Sequence, residues 1–347
     1  MAKCGLPAIF LRAIIRVMEM MNSSSPPPRV LCMGVVVLDI LTYPVSGLPE
    51  PEKTLPLKHV GFALGGCAAN TAHALSRLGF MASLLGRIGD DVFGRLVRSS
   101  LQKECIDLSF LDEEVDLPTS TSVVLIDEAG ERRFLHRAGA SAQLEIPQNL
   151  PLSQFDYLHL GGCFLVPKCM GAPLEQLFSK ARKKGIVTSI DTLWHAGEIW
   201  KDILSALPHT DYFMPSLLEA QMITGQTLPE EIARFLSDHG AHQVVIKMGE
   251  RGAFVAEHDR REMVPAYQIP AGQLKDTTGA GDSFVAGFLK GVSLGWDLHK
   301  AVLLGNACGA LATTCFGGPL QIDRLFLSNL IKQVDKNQNI FRENPSA

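Results

Sequence analysis

The stretch DTTGAGDSF, residues 276–284, places two threonines, two glycines, an alanine and a second aspartate directly ahead of the apolar, helix-like run VAGFLKGVSLG, residues 285–295. The preceding YQIPAGQLKD, residues 267–276, has no helical period. TTGAGD is therefore expected to be a turn that leads from extended chain into a helix. Glycines at 279 and 281 let such a turn tighten with several N–H groups aimed one way. Those groups, with the positive end of the helix behind them, form a site for an anion. Asp282 at the mouth of that site has two readings on these residues alone. It is a helix-capping aspartate, or it is a base that takes the proton of a hydroxyl attacking a phosphoryl group, with Gly279, Ala280 and Gly281 stabilising the charge that develops.

Upstream, strand-like and helix-like segments alternate from Arg29 onward. RVLCMGVVVLDI, residues 29–40, reads as one buried parallel strand. CAANTAHALSRLG carries Ala72, Leu75 and Leu78 at helical spacing and stops at Gly79. ASLLGRIG follows as a strand, and Asp90 or Asp91 caps the next helix. The rhythm continues through strands FDYLHLGG, IVTSID, DYFMP and QVVIKMG with helices between them, KDILSALP and SLLEAQMITG included. The expected fold is α/β, a doubly wound, mainly parallel central sheet flanked by helices, whose ligands lie beyond the carboxyl ends of the strands. Two stretches break the rhythm. STSVVLIDEAGERRFLHRAG is a hairpin joined through Glu128-Ala129-Gly130, and DILTYPVSGLPEPEKTLPLKHV is extended and proline-rich. Together, at about 40–62 and 117–138, they are expected to form a small β-sheet, either a lid or an edge decoration.

Composition narrows the function. The 347 residues are 46% hydrophobic and 20% charged, with a net charge of −4, which leaves no polyanion-binding surface and argues against a nucleic-acid partner. The eight cysteines form no C-x-x-C pair and no zinc spacing, as expected of a reducing, cytoplasmic setting. LPAIFLRAIIRVMEMM near the start is interrupted by Arg12 and Arg16, too short and too charged to span a bilayer, so no membrane partner is expected. NSSSPPP then reads as a linker, which divides the chain into a tail at 1–28 and one domain at 29–345. There is no Gly-Lys dipeptide for a Walker loop, Phe284 stands where a dinucleotide fingerprint needs its third glycine, and no Gly-x-Ser-x-Gly elbow occurs.

Two long segments, GGCAANTAHALSRLG (65–79) with GRIGDDVFG (86–94), and DTTGAGDSFVAGFL (276–289), resemble the signatures of the ribokinase-like (PfkB) carbohydrate kinases. The resemblance spans about 29–330. It implies a ribokinase-like fold with a small β-sheet lid, and an ATP-dependent enzyme that phosphorylates a primary hydroxyl of a sugar or sugar-like alcohol with Mg2+. It implies Asp282 as catalytic base and Gly279, Ala280 and Gly281 as the anion hole. Asp39, Gly65, Gly66 and Asn70 match its sugar-contact positions, although Asn70 also reads as a helix-start residue bonding its own backbone. On the nucleotide side IKMGERGA (246–253) matches, with Lys247, Gly249 and Gly252, and Asn306 is placed at the adenine pocket or on ordinary helix surface. TCFGG (314–318), with Asp276 and Thr278, resembles the backbone loop that binds a monovalent cation such as K+. Glu219 remains from the acidic motif that organises Mg2+ through water, while Ser216 replaces its asparagine. A homodimer through the lid is expected, because a lid sheet has free edges.

Departures bear on the substrate. Val37, Cys67 and the strand end HLGGCF lack the asparagine, lysine and glutamate of ribokinases, which argues against ribose. Arg137 is a candidate partner for an acidic substrate or a solvated hairpin residue. A nucleoside kinase of the same family and a catalytically weak sugar or nucleotide sensor, the latter motivated by Ser216, are the alternatives.

Overall fold

The structure, a computed structural model, describes residues 26–258, 260–270, 272–315, 317 and 324–335. Most of the expected tail and parts of the 314–318 loop lie outside the described residues.

The apolar run after Arg29 is two strands in two sheets. Strand β1 (Arg29–Gly34) ends at Gly34, φ 133°, and β2 (Val37–Tyr43) belongs to another sheet. The break is forced by crowding: a Cβ on Gly34 would lie 2.1 Å from the carbonyl oxygen of Gly161. Periodicity cannot reveal such a break, because both strands are buried. β3 (His59–Gly65) pairs antiparallel with β2, and the chain then enters helix α1 (Cys67–Arg77). β4 (Met81–Gly89) and α2 (Val92–Gln102) follow, with Asp91 accepting a hydrogen bond from the Gly94 amide at 2.7 Å as the cap. After β5 (Leu111–Glu114) the expected hairpin appears as β6 (Thr121–Ile126) and β7 (Arg132–Arg137). Asp127 closes its turn by accepting from the amides of Ala129 and Glu131.

The second half supplies β8 (Tyr157–Gly161), α3 (Ala172–Lys183), β9 (Val187–Ile190), β10 (Tyr212–Phe213), α4 (Leu217–Thr224) and α5 (Pro229–Asp238). β11 (Gln243–Lys247), β12 (Ala253–Glu257) and β13 (Arg260–Val264) then precede α6 (Ala280–Ser293), α7 (Leu298–Ala312) and α8 (Arg324–Asp335). KDILSALP, expected as an α-helix, has 3-10 geometry within residues 199–209, where Pro208 removes a donor.

The central sheet has nine strands in the order β13-β12-β11-β10-β9-β8-β1-β4-β5. Strands β5 through β11 are parallel, and β12 and β13 run antiparallel at one edge. Alternation along β1 divides the core. Val30 and Cys32 pack in the layer with α1, α6 and α7, while Leu31 and Met33 pack in the layer with α3. Each fully buried aliphatic side chain of this kind stabilises by about 1.5–3 kcal/mol.

The chain winds from β1 toward β5, then returns to β8 and winds the other way. The crevice between the carboxyl ends of β1 and β8 is thus the switch point where such sheets take ligands. The amino end of α1 closes over it so tightly that a Cβ on Gly161 would meet the Ala68 nitrogen at 2.7 Å. The second sheet, β3-β2-β6-β7, carries Asp39, Ser122 and His136 on one face and Leu38, Thr121 and Arg137 on the other, by pairing register. Among the described residues, no helix is long and apolar enough to cross a membrane.

Candidate active site

Two helix starts converge on the switch point. Asp282 stands in the first turn of α6, buried, and its Oδ2 accepts a hydrogen bond from the Asn70 amide of α1 at 2.8 Å. Gly279 adopts φ 70°, the left-handed region, and begins the helix without a side-chain cap. Among the described residues no hydrogen bond engages the amides of Gly279 and Gly281, while that of Ala280 turns back to the Thr277 carbonyl at 3.3 Å. The turn therefore offers open donors beside a carboxylate. Among the described residues no first-turn amide bonds the Asp282 carboxylate, whose partners are the Asn70 amide and the Cys67 thiol. α6 is held by close packing on α7, where a Cβ on Gly287 would meet Cys308 Sγ at 2.8 Å. The Asn70 Oδ1 is buried with no partner among the described residues, so an acceptor stands open beside Asp282.

Asp39 lies on β2, on the face turned toward this point. A Cβ on Gly65 would come within 2.5 Å of its carboxylate, so glycine is required where β3 passes Asp39. Gly66, φ 88°, then starts α1, and a Cβ there would strike the Val35 carbonyl at 2.4 Å. Burial pushes the Asp39 carboxyl up to about 7, against a hydrogen bond from Ser122 and the nearby Arg132 guanidinium.

Lys247, at the end of β11, forms a buried ion pair with Asp191, which follows β9. Its Nζ lies 3.4 Å from the point a Cβ on Gly281 would occupy, so the ammonium borders the open turn. Burial works against the Lys247 charge, but Asp191, Glu219 and Asp282 outweigh it and hold the ammonium above its usual range. Burial likewise raises the Asp282 carboxyl, while Asn70, Lys247 and the Cys67 thiol pull it back. Glu219 accepts from the Thr192 hydroxyl at 2.6 Å and from the Ser216 amide at 2.9 Å, and Ser216 completes the capping box of α4.

Several expected residues have other occupations. Arg137 lies on the face of the second sheet opposite Asp39 and donates to the Thr119 carbonyl at 3.1 Å, because strand alternation sends odd and even positions to different faces. The Asn306 amide ties α7 to the chain after β13, donating to the carbonyls of Pro265 at 2.8 Å and Val264 at 3.3 Å. Gly249 and Gly252 form the tight connection between β11 and β12, where a Cβ on Gly252 would meet the Val264 carbonyl at 2.1 Å. The Asp276 carboxylate accepts from the Thr278 amide and hydroxyl and from the Gly317 amide, and pairs with Arg132 at 3.3 Å.

Asp191 and Arg132 escaped the sequence reading of the site, and Cys67, read there only as a departure bearing on the substrate, has a thiol that bonds the Asp282 carboxylate. Asp191 carried a signal, an acid immediately after the apolar strand IVTSI, where such sheets present ligand-facing groups. Arg132 and Cys67 depend on pairing register and on the meeting of two distant helices, which no local pattern encodes.

The family model described as pfkB family carbohydrate kinase matches residues 29–323. The chain belongs to this family. Among its relatives, a fructokinase of Klebsiella pneumoniae is 32% identical over 73% of this chain and 86% of its own. A fructokinase of Vibrio alginolyticus is 30% identical over 78% and 90%. In fold the chain is similar to Arabidopsis thaliana ribokinase complexed with ribose and ATP, TM-score 0.74 at 24% identity, over 89% of this chain and 99% of that one. It is also similar to a ribokinase II of E. coli in complex with ATP and Mg2+, TM-score 0.73 at 22% identity, over 88% and 99%. This pfkB protein is a sugar kinase, a phosphotransferase.

Two ions implied by the family fit unequally. Among the described residues no group of three or more His, Cys, Asp and Glu is gathered to hold a metal. That suits Mg2+, which keeps its waters and binds through one or two carboxylates and the phosphates of a nucleotide. Glu219, held near Lys247 and Asp282, is a carboxylate that could hold it through water. A monovalent cation at Asp276 fits poorly, because the Arg132 guanidinium already pairs with that carboxylate.

Proposed function

We propose that the protein transfers the γ-phosphate of ATP to a primary hydroxyl of a neutral sugar, with fructose the leading candidate, and that Asp282 is the general base. The observation that carries this reading is the buried Asp282 carboxylate, oriented by Asn70, beside the open amides of Gly279 and Gly281. Asp282 takes the proton as the hydroxyl oxygen bonds to the γ-phosphorus and the bond to the bridging oxygen of ADP breaks. The two amides and the Lys247 ammonium hold the charge on the phosphoryl oxygens. Asp39 accepts hydrogen bonds from other hydroxyls of the sugar, and the unpartnered Asn70 Oδ1 accepts one more. Glu219 would hold, through water, the Mg2+ that accompanies the nucleotide, and that ion would supply neutralisation of phosphate charge.

A neutral substrate is supported by the cations of the site. Lys247 and Arg132 are paired with Asp191 and Asp276, and Arg137 faces away. A carboxylated sugar would therefore meet no free positive charge among these three. The relatives named fructokinases support a hexose. The Ser216 departure leaves Glu219 anchored through the capping box, which supports an active enzyme over a sensor. The test is ADP release with fructose, glucose, ribose, 2-dehydro-3-deoxygluconate and adenosine at equal concentrations. The highest kcat/KM is expected with fructose. A preference for 2-dehydro-3-deoxygluconate or adenosine rejects the neutral-sugar assignment, and no turnover with any of the five rejects the kinase mechanism.

The lid face turned from the site exposes Val60, Phe62 and Leu135. We propose that two copies associate through this face. Sedimentation is expected to give a dimer that Phe62→Lys converts to monomer; a monomeric wild-type protein overturns it.

A further inference from the structure

Arg132, on the lid strand β7, reaches across to the turn that precedes α6. Its guanidinium donates to the hydroxyls of Thr277 and Thr278 and lies 3.3 Å from Asp276 Oδ1. Its side chain is only 14% exposed and that of Asp276 is fully buried. The Phe134 ring lies 5.4 Å beneath the guanidinium on the same lid face. The lid turn itself approaches this loop, since a Cβ on Gly130 would lie 4.0 Å from the Lys275 carbonyl. Fixed donors in a planar fork suit a guanidinium to bridging two hydroxyls and a carboxylate at once.

Asp276 sits within the turn whose open amides would receive the phosphate in the proposed transfer, and an uncompensated buried carboxylate there would repel that phosphate. Some positive charge must neutralise it. We propose that Arg132 is that charge, a built-in cation that takes the place of a bound monovalent ion at the Asp276–Thr278 turn, so that this enzyme works without K+. Because Arg132 belongs to the lid, the group that neutralises Asp276 also tethers the lid to the phosphate turn. Arg132 acts here as a positioning residue, through Asp276 and the turn.

The inference rests on the proposed phosphotransfer for its kinetic arm, so a second arm is independent of turnover. Turnover and thermal midpoint are measured at constant ionic strength in tetramethylammonium chloride and in potassium chloride, for the wild type, Arg132→Ala and Arg132→Lys. The wild type is expected to change turnover by less than about twofold between the salts and to keep its midpoint. Arg132→Ala is expected to lose at least about tenfold in tetramethylammonium, to recover most of it in K+, and to show a midpoint that K+ raises. Arg132→Lys, which keeps the charge, is expected to ignore K+. A wild-type enzyme activated more than about fivefold by K+ overturns the proposal, as does an Arg132→Ala protein whose midpoint and turnover are both blind to K+. If no variant turns over any sugar, the midpoint response of the apo proteins still decides the matter.

Discussion

Asp282→Asn is expected to fold as the wild type does and to lose about 10³-fold or more of its turnover, the scale at which a positioned base accelerates proton transfer. The fold survives because asparagine keeps the shape of the side chain and keeps an oxygen for the Asn70 amide. The change also removes a charge that burial already disfavours, so the thermal midpoint is expected to hold or rise. ATP binding is expected to persist, since the amides of Gly279 and Gly281 and the Lys247 ammonium are untouched. The wild type adds a pH signature of the same group. Burial raises the Asp282 carboxyl above its ordinary range, and Asp39 is pushed up to about 7, so Asp39 takes up a proton as pH falls through neutrality and Asp282 does so at a higher pH than an exposed aspartate would. A protonated Asp282 cannot accept the hydroxyl proton, and a protonated Asp39 accepts fewer substrate bonds; kcat/KM is therefore expected to fall on the acid side. Turnover of Asp282→Asn within tenfold of the wild type, measured by ADP release, would reject the base assignment.

What the sequence disclosed and what it withheld divide along a physical line. The turn at 276–284 was legible because glycine, a helix start and a carboxylate within one short segment have a local meaning. The alternating α/β architecture was legible because core-facing patterns repeat along each segment, and a cap at Asp90 or Asp91 was legible because capping is settled within four residues, with Asp91 the residue that fills it. The division of residues 29–40 into β1 and β2 was hidden, since it follows from the approach of Gly34 to Gly161, 127 positions later. The choice between the two readings of Arg137, substrate partner or hairpin residue, was hidden for the same reason. One hairpin carries arginines at 132, 133 and 137, and only the register Asp39–Ser122–His136 tells which parity shares the face of Asp39. Asn306 was read as an adenine-pocket residue or as ordinary helix surface, whereas its amide serves two carbonyls that sit beside it only after folding.

Lys247→Met is expected to damage both stability and turnover, and a second substitution separates the two effects. The ammonium is buried among Asp191, Glu219 and Asp282, and its removal leaves the Asp191 carboxylate, 2% exposed at the side chain, without a cationic partner. Breaking a buried pair from one side costs about 3–5 kcal/mol. Asp191 is the group that responds. Burial already raises its carboxyl, and without Lys247 it rises further. A carboxyl whose folded pKa lies above its unfolded value contributes stability that is complete at low pH and lost as pH rises through the folded pKa. The deficit of Lys247→Met relative to the wild type is therefore expected to be largest near pH 8 and to shrink toward pH 5.5. Adding Asp191→Asn removes the stranded charge, and the double variant is expected to regain most of the lost midpoint. Turnover is not expected to return with it, because neither methionine nor asparagine supplies the positive charge beside Gly281 that the transferred phosphoryl group needs. Thermal melts across pH with ADP-release kinetics on the two single variants and the double test both halves. Were the double variant to recover turnover along with stability, Lys247 would be a partner of Asp191 and nothing more, and the positive charge at the turn would have to come from elsewhere.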